Sequence, residues 1–347
     1  MRPRLSHLCA SVLAVSFLNV PAAVAQTPEE FYKSHAITVL IGGGVGGGYD
    51  LYTRTFARHL ANHIPGSPTI ISKNLPAASG LVAANTLYTT AEKDGSVIAA
   101  LTNSVPTEPL LGNPAARYDA LKFNWLGSLG KLPNVCSMWH TSSIKSIAQA
   151  REREVTVAAS GIGTNSAVIP KVLNGLLGTR FRLVTGYDPT MGINMAIERE
   201  EAEGICGLSW PTIKSSRPAW VRDKLITIIV QVAFDKIGDL PDVPSALDLI
   251  IDPKKRSVLE LILIRQETGR PLAAPPGVPA DRLSVLRKAF DETLQDPKFR
   301  AEAEKFQMEI DPLSSTQMEA LLLKAYASPK QVVDAAAALV ESPTARK

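Results

Sequence analysis

Residues 42–48 are the feature that most constrains the fold, because six of these seven residues are glycine. A short β-branched run at 37–41 precedes them, and apolar residues recur at helical spacing over 52–60. Glycine lets a loop adopt positive φ and approach a ligand closely. A helix start offers free N–H groups and a partial positive charge to an anion. The sequence therefore predicts an α/β chain whose first loop binds an anion through Gly46, Gly47, Gly48, Tyr49 and Asp50. Asp50 also suits a purely structural role as a helix cap.

The rest of the chain repeats this alternation of strand and helix in two blocks. Short apolar runs near 69–71 and 96–101 complete the first block. Further strand candidates follow, at 135–139, 155–159, 181–185, 204–208 and 225–232. We expect two lobes, each a mostly parallel sheet flanked by helices, with the ligand in a cleft outside the strand ends. The predicted limits are 26–132 for the first lobe, 133–230 for the second, and 231–347 for a return to the first lobe with C-terminal helices. The proline-rich segment 270–279 is predicted to be a loop.

The N-terminus has the features of an export signal. Arg2 and Arg4 precede an apolar run at 8–20, and Ala23-Val24-Ala25 supplies a small-x-small cleavage site. We therefore predict a signal peptide over 1–25 and a periplasmic mature protein; a membrane anchor or a buried first helix is the alternative. Export leaves two cysteines, Cys136 and Cys206, and an oxidising compartment favours a disulfide between them. The alternative is two unrelated buried thiols.

The charge of the chain gives no reason to expect a nucleic-acid partner. The formal net charge is +4, and removal of Arg2 and Arg4 with the signal leaves +2. The remaining basic residues alternate with acidic ones, as at 151–154 and 198–201, which is typical of solvated helix faces. No basic stripe with interleaved aromatic residues occurs.

Polar residues follow several of the predicted strands and are further ligand candidates. They are Asn103, Ser104, Ser160, Thr164, Asn165, Tyr187, Asp188, Ser209 and Trp210. The segment 159–166 is a second loop rich in small and hydroxyl residues at a helix start. Two such loops on different lobes would suit a ligand with a carboxylate at each end. The alternative for each residue is ordinary turn chemistry, since these residue types dominate turns.

Motifs for catalysis, cofactors and metals are poorly represented. Gly42, Gly44 and Gly47 fit G-x-G-x-x-G, but no acidic residue occurs between Asp50 and Glu92 to hold a ribose. Neither a phosphate-binding G-x-x-x-x-G-K-[ST] nor a nucleophile-elbow G-x-S-x-G is present. His59 and His63 are four residues apart without an HExxH motif, and we expect them at the surface. The sequence predicts no cofactor, no metal and no enzymatic activity.

The order and spacing of several motifs resemble the Bug or TctC family of periplasmic receptors. Besides the glycine loop, the similar segments are 74–80, 94–95, 159–164, 186–187, 240–244 and 274–279. The resemblance implies a two-lobed type II periplasmic binding fold and a small carboxylate ligand. It also implies delivery to a tripartite tricarboxylate-type membrane permease, and we expect a monomer. Carboxylate contacts would come from 46–50, Asn103, Ser104, Ser160, Thr164, Asn165 and Tyr187.

The chain departs from the family pattern at four places. Val45 stands where proline is usual, Tyr49 where a small hydroxyl residue is usual, and Asp188 where many relatives carry a basic residue. The second loop also lacks a following histidine. A tyrosine at position 49 would shrink the pocket or stack on an aromatic acid. A ligand sensor of the same fold is the alternative function, and an exported enzyme would need an acid–base or nucleophile set that the sequence does not supply.

Overall fold

The computed structural model describes residues 26–188 and 191–340. The predicted signal peptide, residues 1–25, lies outside this part of the chain. Within the described ranges, no helix combines the length and the apolar character needed to cross a bilayer.

Helices and strands alternate along most of the described chain. The strands are β1 (Ile37–Ile41), β2 (Ile70–Asn74), β3 (Val97–Ala100), β4 (Asn124–Ser128), β5 (Asn134–Trp139), β6 (Val155–Ala158), β7 (Phe181–Val184), β8 (Gly204–Ser209), β9 (Ile226–Val232), β10 (Pro271–Ala274) and β11 (Leu313–Ser314). The helices are α1 (Pro28–Ser34), α2 (Gly48–Leu60), α3 (Leu81–Thr89), α4 (Ile147–Glu152), α5 (Asn165–Leu177), α6 (Met191–Glu198), α7 (Trp210–Ser216), α8 (Pro218–Arg222), α9 (Pro253–Thr268), α10 (Ala280–Gln295), α11 (Pro297–Lys305), α12 (Ser315–Tyr326) and α13 (Lys330–Val340).

The strands form two sheets, each at the centre of one lobe. The first has the order β11-β4-β10-β3-β1-β2 and the second the order β7-β6-β8-β5-β9. β1 is parallel to β2 and β3, and β6 is parallel to β7 and β8. β10 and β5 are antiparallel to both of their neighbours. The two-lobed α/β prediction is confirmed, but the sheets are mixed, because β5 and β10 enter their sheets from the other lobe and run in the opposite direction.

Each sheet is covered by helices on both faces. In β1, Ile37 and Val39 pack against Phe56 of α2 and Phe290 of α10, whereas Leu40 joins the apolar cluster on the opposite face with α3 and α12. This follows from the alternation of side chains along a strand. The second sheet has α5 and α9 on one face and α6, α7 and α8 on the other.

A disulfide joins Cys136 and Cys206, as the sequence predicts. Both residues are fully buried, and they lie opposite each other where β5 pairs with β8. The bridge therefore fastens the antiparallel strand β5 to the parallel part of the second sheet.

Two chain crossings between the lobes lie side by side, and we call this paired connection the hinge. They are residues 129–133, between β4 and β5, and residues 269–270, between α9 and β10. The Leu129 N–H donates to the Arg270 carbonyl at 3.1 Å, and the Arg270 N–H donates to the Gly130 carbonyl at 3.1 Å. Gly269 has φ +52°, and a Cβ atom there would overlap the Gly130 carbonyl. Only glycine fits this close approach.

The C-terminal segment covers both lobes. α10 and α11 pack on the first sheet, and α12 packs against it through Met318 and Leu322. α9 and α13 instead join the apolar cluster of the second lobe together with α5. The predicted lobe limits stay predictions, but this packing divides the segment 231–347 between the two lobes. The segment 270–279, predicted to be a loop, contains the central strand β10.

Candidate functional site

A cavity of about 150 Å³ lies between the lobes, at the ends of strands and the beginnings of helices. Nine of the fourteen predicted ligand residues lie on its wall: Gly47, Gly48, Tyr49, Asn103, Ser104, Ser160, Thr164, Asn165 and Ser209. The glycine loop and the second polar loop thus face the same space from opposite lobes.

Asp50 holds the glycine loop in shape. One carboxylate oxygen accepts the Gly46 N–H at 2.9 Å, and the other accepts from Arg54 Nε at 2.7 Å and from Asn74 Nδ2 at 2.9 Å. Burial opposes ionisation of this carboxyl, but the hydrogen bonds from Gly46, Asn74 and Arg54 outweigh it and lower the pKa of Asp50. Asp50 is not on the cavity wall. The N-cap of α2 is Gly47, and Asp50 lies in the first turn of the helix, from which its carboxylate accepts a backbone N–H of the glycine loop.

Tyr49 crosses the base of the cavity and is held at its hydroxyl. The hydroxyl accepts the Asn103 N–H at 2.8 Å and donates to the Gly269 carbonyl at 3.2 Å. Burial raises the pKa of Tyr49 to about 12, so the phenol stays protonated at neutral pH. The Tyr49 ring occupies space on the cavity wall that a small residue would leave open.

The second loop is organised by hydroxyl groups before α5. Ser160 Oγ donates to Thr164 Oγ1 at 3.0 Å, and Thr164 Oγ1 donates to the Gly161 carbonyl at 2.7 Å. The Ser160 N–H donates to Ser166 Oγ at 3.2 Å. Thr164 is the N-cap of α5, but its side chain does not cap the helix. The first N–H groups of α5 can therefore serve an anion in the cavity.

The two lobes touch beside the cavity. Ser79 of the first lobe lies against the second polar loop, where a Cβ atom added at Gly161 would be 2.9 Å from Ser79 Oγ. Ala78 and Ser79 both have positive φ, 50° and 58°, a conformation that costs non-glycine residues energy. A second contact joins Gly48 of α2 to Thr212 of α7.

Five of the residues expected at the site lie away from the wall: Gly46, Asp50, Tyr187, Asp188 and Trp210. Tyr187 and Asp188 follow β7, which is an edge strand of its sheet, so its end is displaced from the cleft. Tyr187 packs against the apolar cluster under α6 and α7. The Trp210 side chain is buried in the same cluster and donates from Nε1 to Asp239 at 2.9 Å.

The most informative wall residue that sequence reasoning missed is Arg270. It is 3% exposed, and Nη2 donates to Thr212 Oγ1 of the second lobe at 3.1 Å. Asn134, also on the wall, is fully buried, and both polar atoms of its side chain are without a partner in the described part of the chain. The sequence around Arg270 gave no signal for this position, because polar residues at 265–268 and Gly269 precede it and Pro271 follows it.

His59 and His63 are engaged away from the cavity. His59 Nε2 is 2.6 Å from Glu302 Oε2, and His63 Nε2 is 3.1 Å from Asp296 Oδ2. These pairs join the end of α2 to α11. Among the described residues, no group of three or more His, Cys, Asp or Glu side chains is arranged to hold a metal ion.

Comparison with known proteins places the fold among periplasmic binding proteins. No family model matches the sequence. A UPF0065 protein of Bordetella bronchiseptica is 25% identical over 289 residues, 81% of this chain and 78% of that protein. A UPF0065 protein of Cupriavidus necator is 23% identical over 331 residues, 92% and 93% of the two chains.

Several solved structures share this fold. One is a TctC solute-binding protein from Polaromonas, which superposes with a TM-score of 0.62 and 19% sequence identity; the match covers 88% of this chain and 99% of that one. MatC from Rhodopseudomonas palustris, solved with bound malate, has a TM-score of 0.65, 18% identity, and coverage of 89% and 99%. An R. palustris protein solved with adipate has a TM-score of 0.67, 16% identity, and coverage of 87% and 97%. The chain therefore has the fold of TctC-type binding proteins.

Proposed function

We propose that this protein is an exported solute-binding receptor of the Bug or TctC type. It captures a small carboxylate between its lobes, performs no chemistry on it, and delivers it to a tripartite tricarboxylate-type membrane permease. The observation that carries the proposal is the wall of the cavity. Hydroxyl groups, backbone N–H groups and one guanidinium line it from both lobes, and no Asp or Glu of the described chain lies on it.

The comparisons support this proposal from a separate direction. One protein of the same fold was solved with malate and another with adipate, and a third is itself a TctC solute-binding protein. The export signal predicted over 1–25 agrees with a receptor that works in the periplasm. A receptor binds its ligand without reacting with it and therefore needs no catalytic base. Among the described residues, no His, Cys, Asp or Glu lies on the cavity wall.

The donors on the wall suffice for the affinity that uptake needs. Hydrogen bonds to a charged group contribute about 1.5–3 kcal/mol each, so four would give about 6–12 kcal/mol. Association and ordering cost at least about 4 kcal/mol. The difference, with apolar contacts added, corresponds to a dissociation constant near the micromolar range. Much tighter binding would hinder release to the permease.

A thermal-shift screen of the exported protein tests the proposal. Mono- and dicarboxylates are compared with their neutral amides at equal concentration. A carboxylate at 100 times its dissociation constant stabilises the folded protein by about 2.7 kcal/mol, which raises Tm by several degrees. The amides should leave Tm nearly unchanged. A screen in which no carboxylate raises Tm, or amides raise it equally, contradicts a carboxylate receptor.

A further inference from the structure

Arg270 stands at the point where the hinge meets the cavity. It is the residue directly before β10, and its backbone takes part in the paired crossings between the lobes. Its side chain lies on the cavity wall and reaches Thr212 on the second lobe. The residue is therefore in contact with both lobes and with the space between them.

Among the described residues Arg270 forms no salt bridge, although the more distant charge of Glu309 partly offsets the effect of burial on its pKa. No carboxylate of the described chain lies within 4.0 Å of its guanidinium. Nε and Nη1 have no hydrogen-bond acceptor among the described residues, so at least three of the five N–H donors of the group are unused. The face of the guanidinium rests on the Tyr52 ring, with Cζ 3.5 Å from the ring centroid. Burial lowers the pKa of Arg270, but arginine stays charged in proteins.

Burying a cation without a partner costs free energy, and buried charges in proteins are normally paired with an opposite charge. Arg265, the other deeply buried arginine near the hinge, shows the usual solution, since its Nη2 is 3.1 Å from Glu108 Oε1. Arg270 differs because it borders a cavity. It is also the only charged residue on the wall within the described chain, so the wall carries one positive charge.

The cavity limits the size of the anion that can provide the compensation. Its volume is about 150 Å³, which is comparable with an engineered protein cavity that accommodates benzene. Tyr49 fixes one boundary through its two hydrogen bonds, so this side does not enlarge without breaking them. A compact acid fits this space better than an extended diacid.

We propose that Arg270 pairs with the carboxylate of the ligand, and that the ligand is a compact monocarboxylate no larger than benzoate. This inference rests on the proposed function and narrows it: a single guanidinium neutralises a single carboxylate. The first N–H groups of α5 can share the carboxylate with Arg270, and Asn134 is placed to bind a hydroxyl group of a ligand that carries one. Arg270 is thus the residue that makes the site bind the anion of an acid more tightly than the corresponding neutral amide.

The test compares wild type, Arg270→Met and Arg282→Met by calorimetry. The probes are benzoate and lactate, their amides benzamide and lactamide, and the dicarboxylates succinate and adipate. Methionine keeps much of the arginine stem and removes the charge. Arg282 is the matched control, because its Cζ lies 3.6 Å from the centroid of the Phe31 ring, remote from the cavity.

We expect wild type and Arg282→Met to bind a monocarboxylate about 100-fold more tightly than its amide, as charge-assisted hydrogen bonds imply. Arg270→Met should lose most of this preference. Its unliganded Tm should stay level or rise, because an uncompensated charge has been removed. An arginine with only a structural role would lower Tm and leave the acid–amide ratio unchanged.

The other outcomes separate the two proposals. Tight binding of a monocarboxylate that survives in Arg270→Met with its preference over the amide overturns the role of Arg270 and leaves the receptor function standing. A wild type that prefers succinate or adipate overturns the monocarboxylate assignment. Absence of carboxylate binding in wild type overturns the proposed function and this inference together.

Discussion

Replacement of Gly48 by valine probes how the two lobes close around the cavity. Gly48 is the first residue of α2 in the first lobe, and it faces Thr212 of α7 in the second. A Cβ atom at position 48 would lie 3.0 Å from Thr212 Oγ1, 3.3 Å from Thr212 Cγ2 and 3.6 Å from Arg270 Nη2. Valine adds two further methyl groups at this crowded place.

Overpacking of this kind costs about 1–3 kcal/mol. Here the cost falls on the closed arrangement and is largely relieved when the lobes separate. The expected effect is therefore a weaker affinity, about 5- to 150-fold in Kd, with little change in the stability of the unliganded protein. Shortening the opposing side chain with Thr212→Ala should recover part of the loss in the double variant, since the two positions are in contact.

Calorimetry with the tightest carboxylate from the screen measures Kd, and circular dichroism monitors the fold. Gly238→Val is the matched control, because a Cβ atom at Gly238 meets nothing within 4 Å and the residue is not on the cavity wall. The control should bind like wild type. A folded Gly48→Val protein that also binds like wild type would refute the reasoning that closure brings α2 against α7.

Three further predictions concern stability. The double variant Cys136→Ser/Cys206→Ser opens a bridge between residues 70 apart in sequence and should lose about 4 kcal/mol in urea unfolding; a loss below about 1 kcal/mol would contradict this value. Tyr49→Phe leaves the buried Asn103 N–H without its acceptor and should cost about 1–3 kcal/mol, and an unchanged urea midpoint would argue against it. Asp50→Asn should destabilise at neutral pH. The lowered pKa of Asp50 means that its contribution is present above about pH 4 and is lost as pH falls through the folded pKa, so a deficit that persists unchanged in acid would count against this account.

The parts of the fold that local patterns determine could be predicted from the sequence. β1 has the predicted limits, and the strands from β5 to β9 differ from the predicted ones by about a residue at either end. The glycine loop and the second polar loop both reach the cavity. These elements combine periodic apolar residues with turn residues, so their neighbours in sequence define them.

The features that the sequence did not predict depend on contacts between residues that are distant in sequence. β10 is only four residues long and begins at Pro271, which suggests a loop. It becomes a strand because β3 and β4 pair with it on both sides. Arg270 resembles an ordinary surface arginine until the two hinge crossings bury it. Trp210 follows a strand as expected, but its large apolar ring favours the core of the second lobe over the cleft.

The last two helices have a mechanical consequence for the opening of the cleft. α12 packs on the first sheet and also contacts α9, with Ala325 in the apolar cluster of the second lobe, whereas α13 packs on the helices of the second lobe. The chain between Tyr326 and Lys330 therefore connects the lobes a third time. Three linking residues extend over at most about 11 Å. This connection therefore sets an upper limit on how far the two lobes can separate beside α12 and α13.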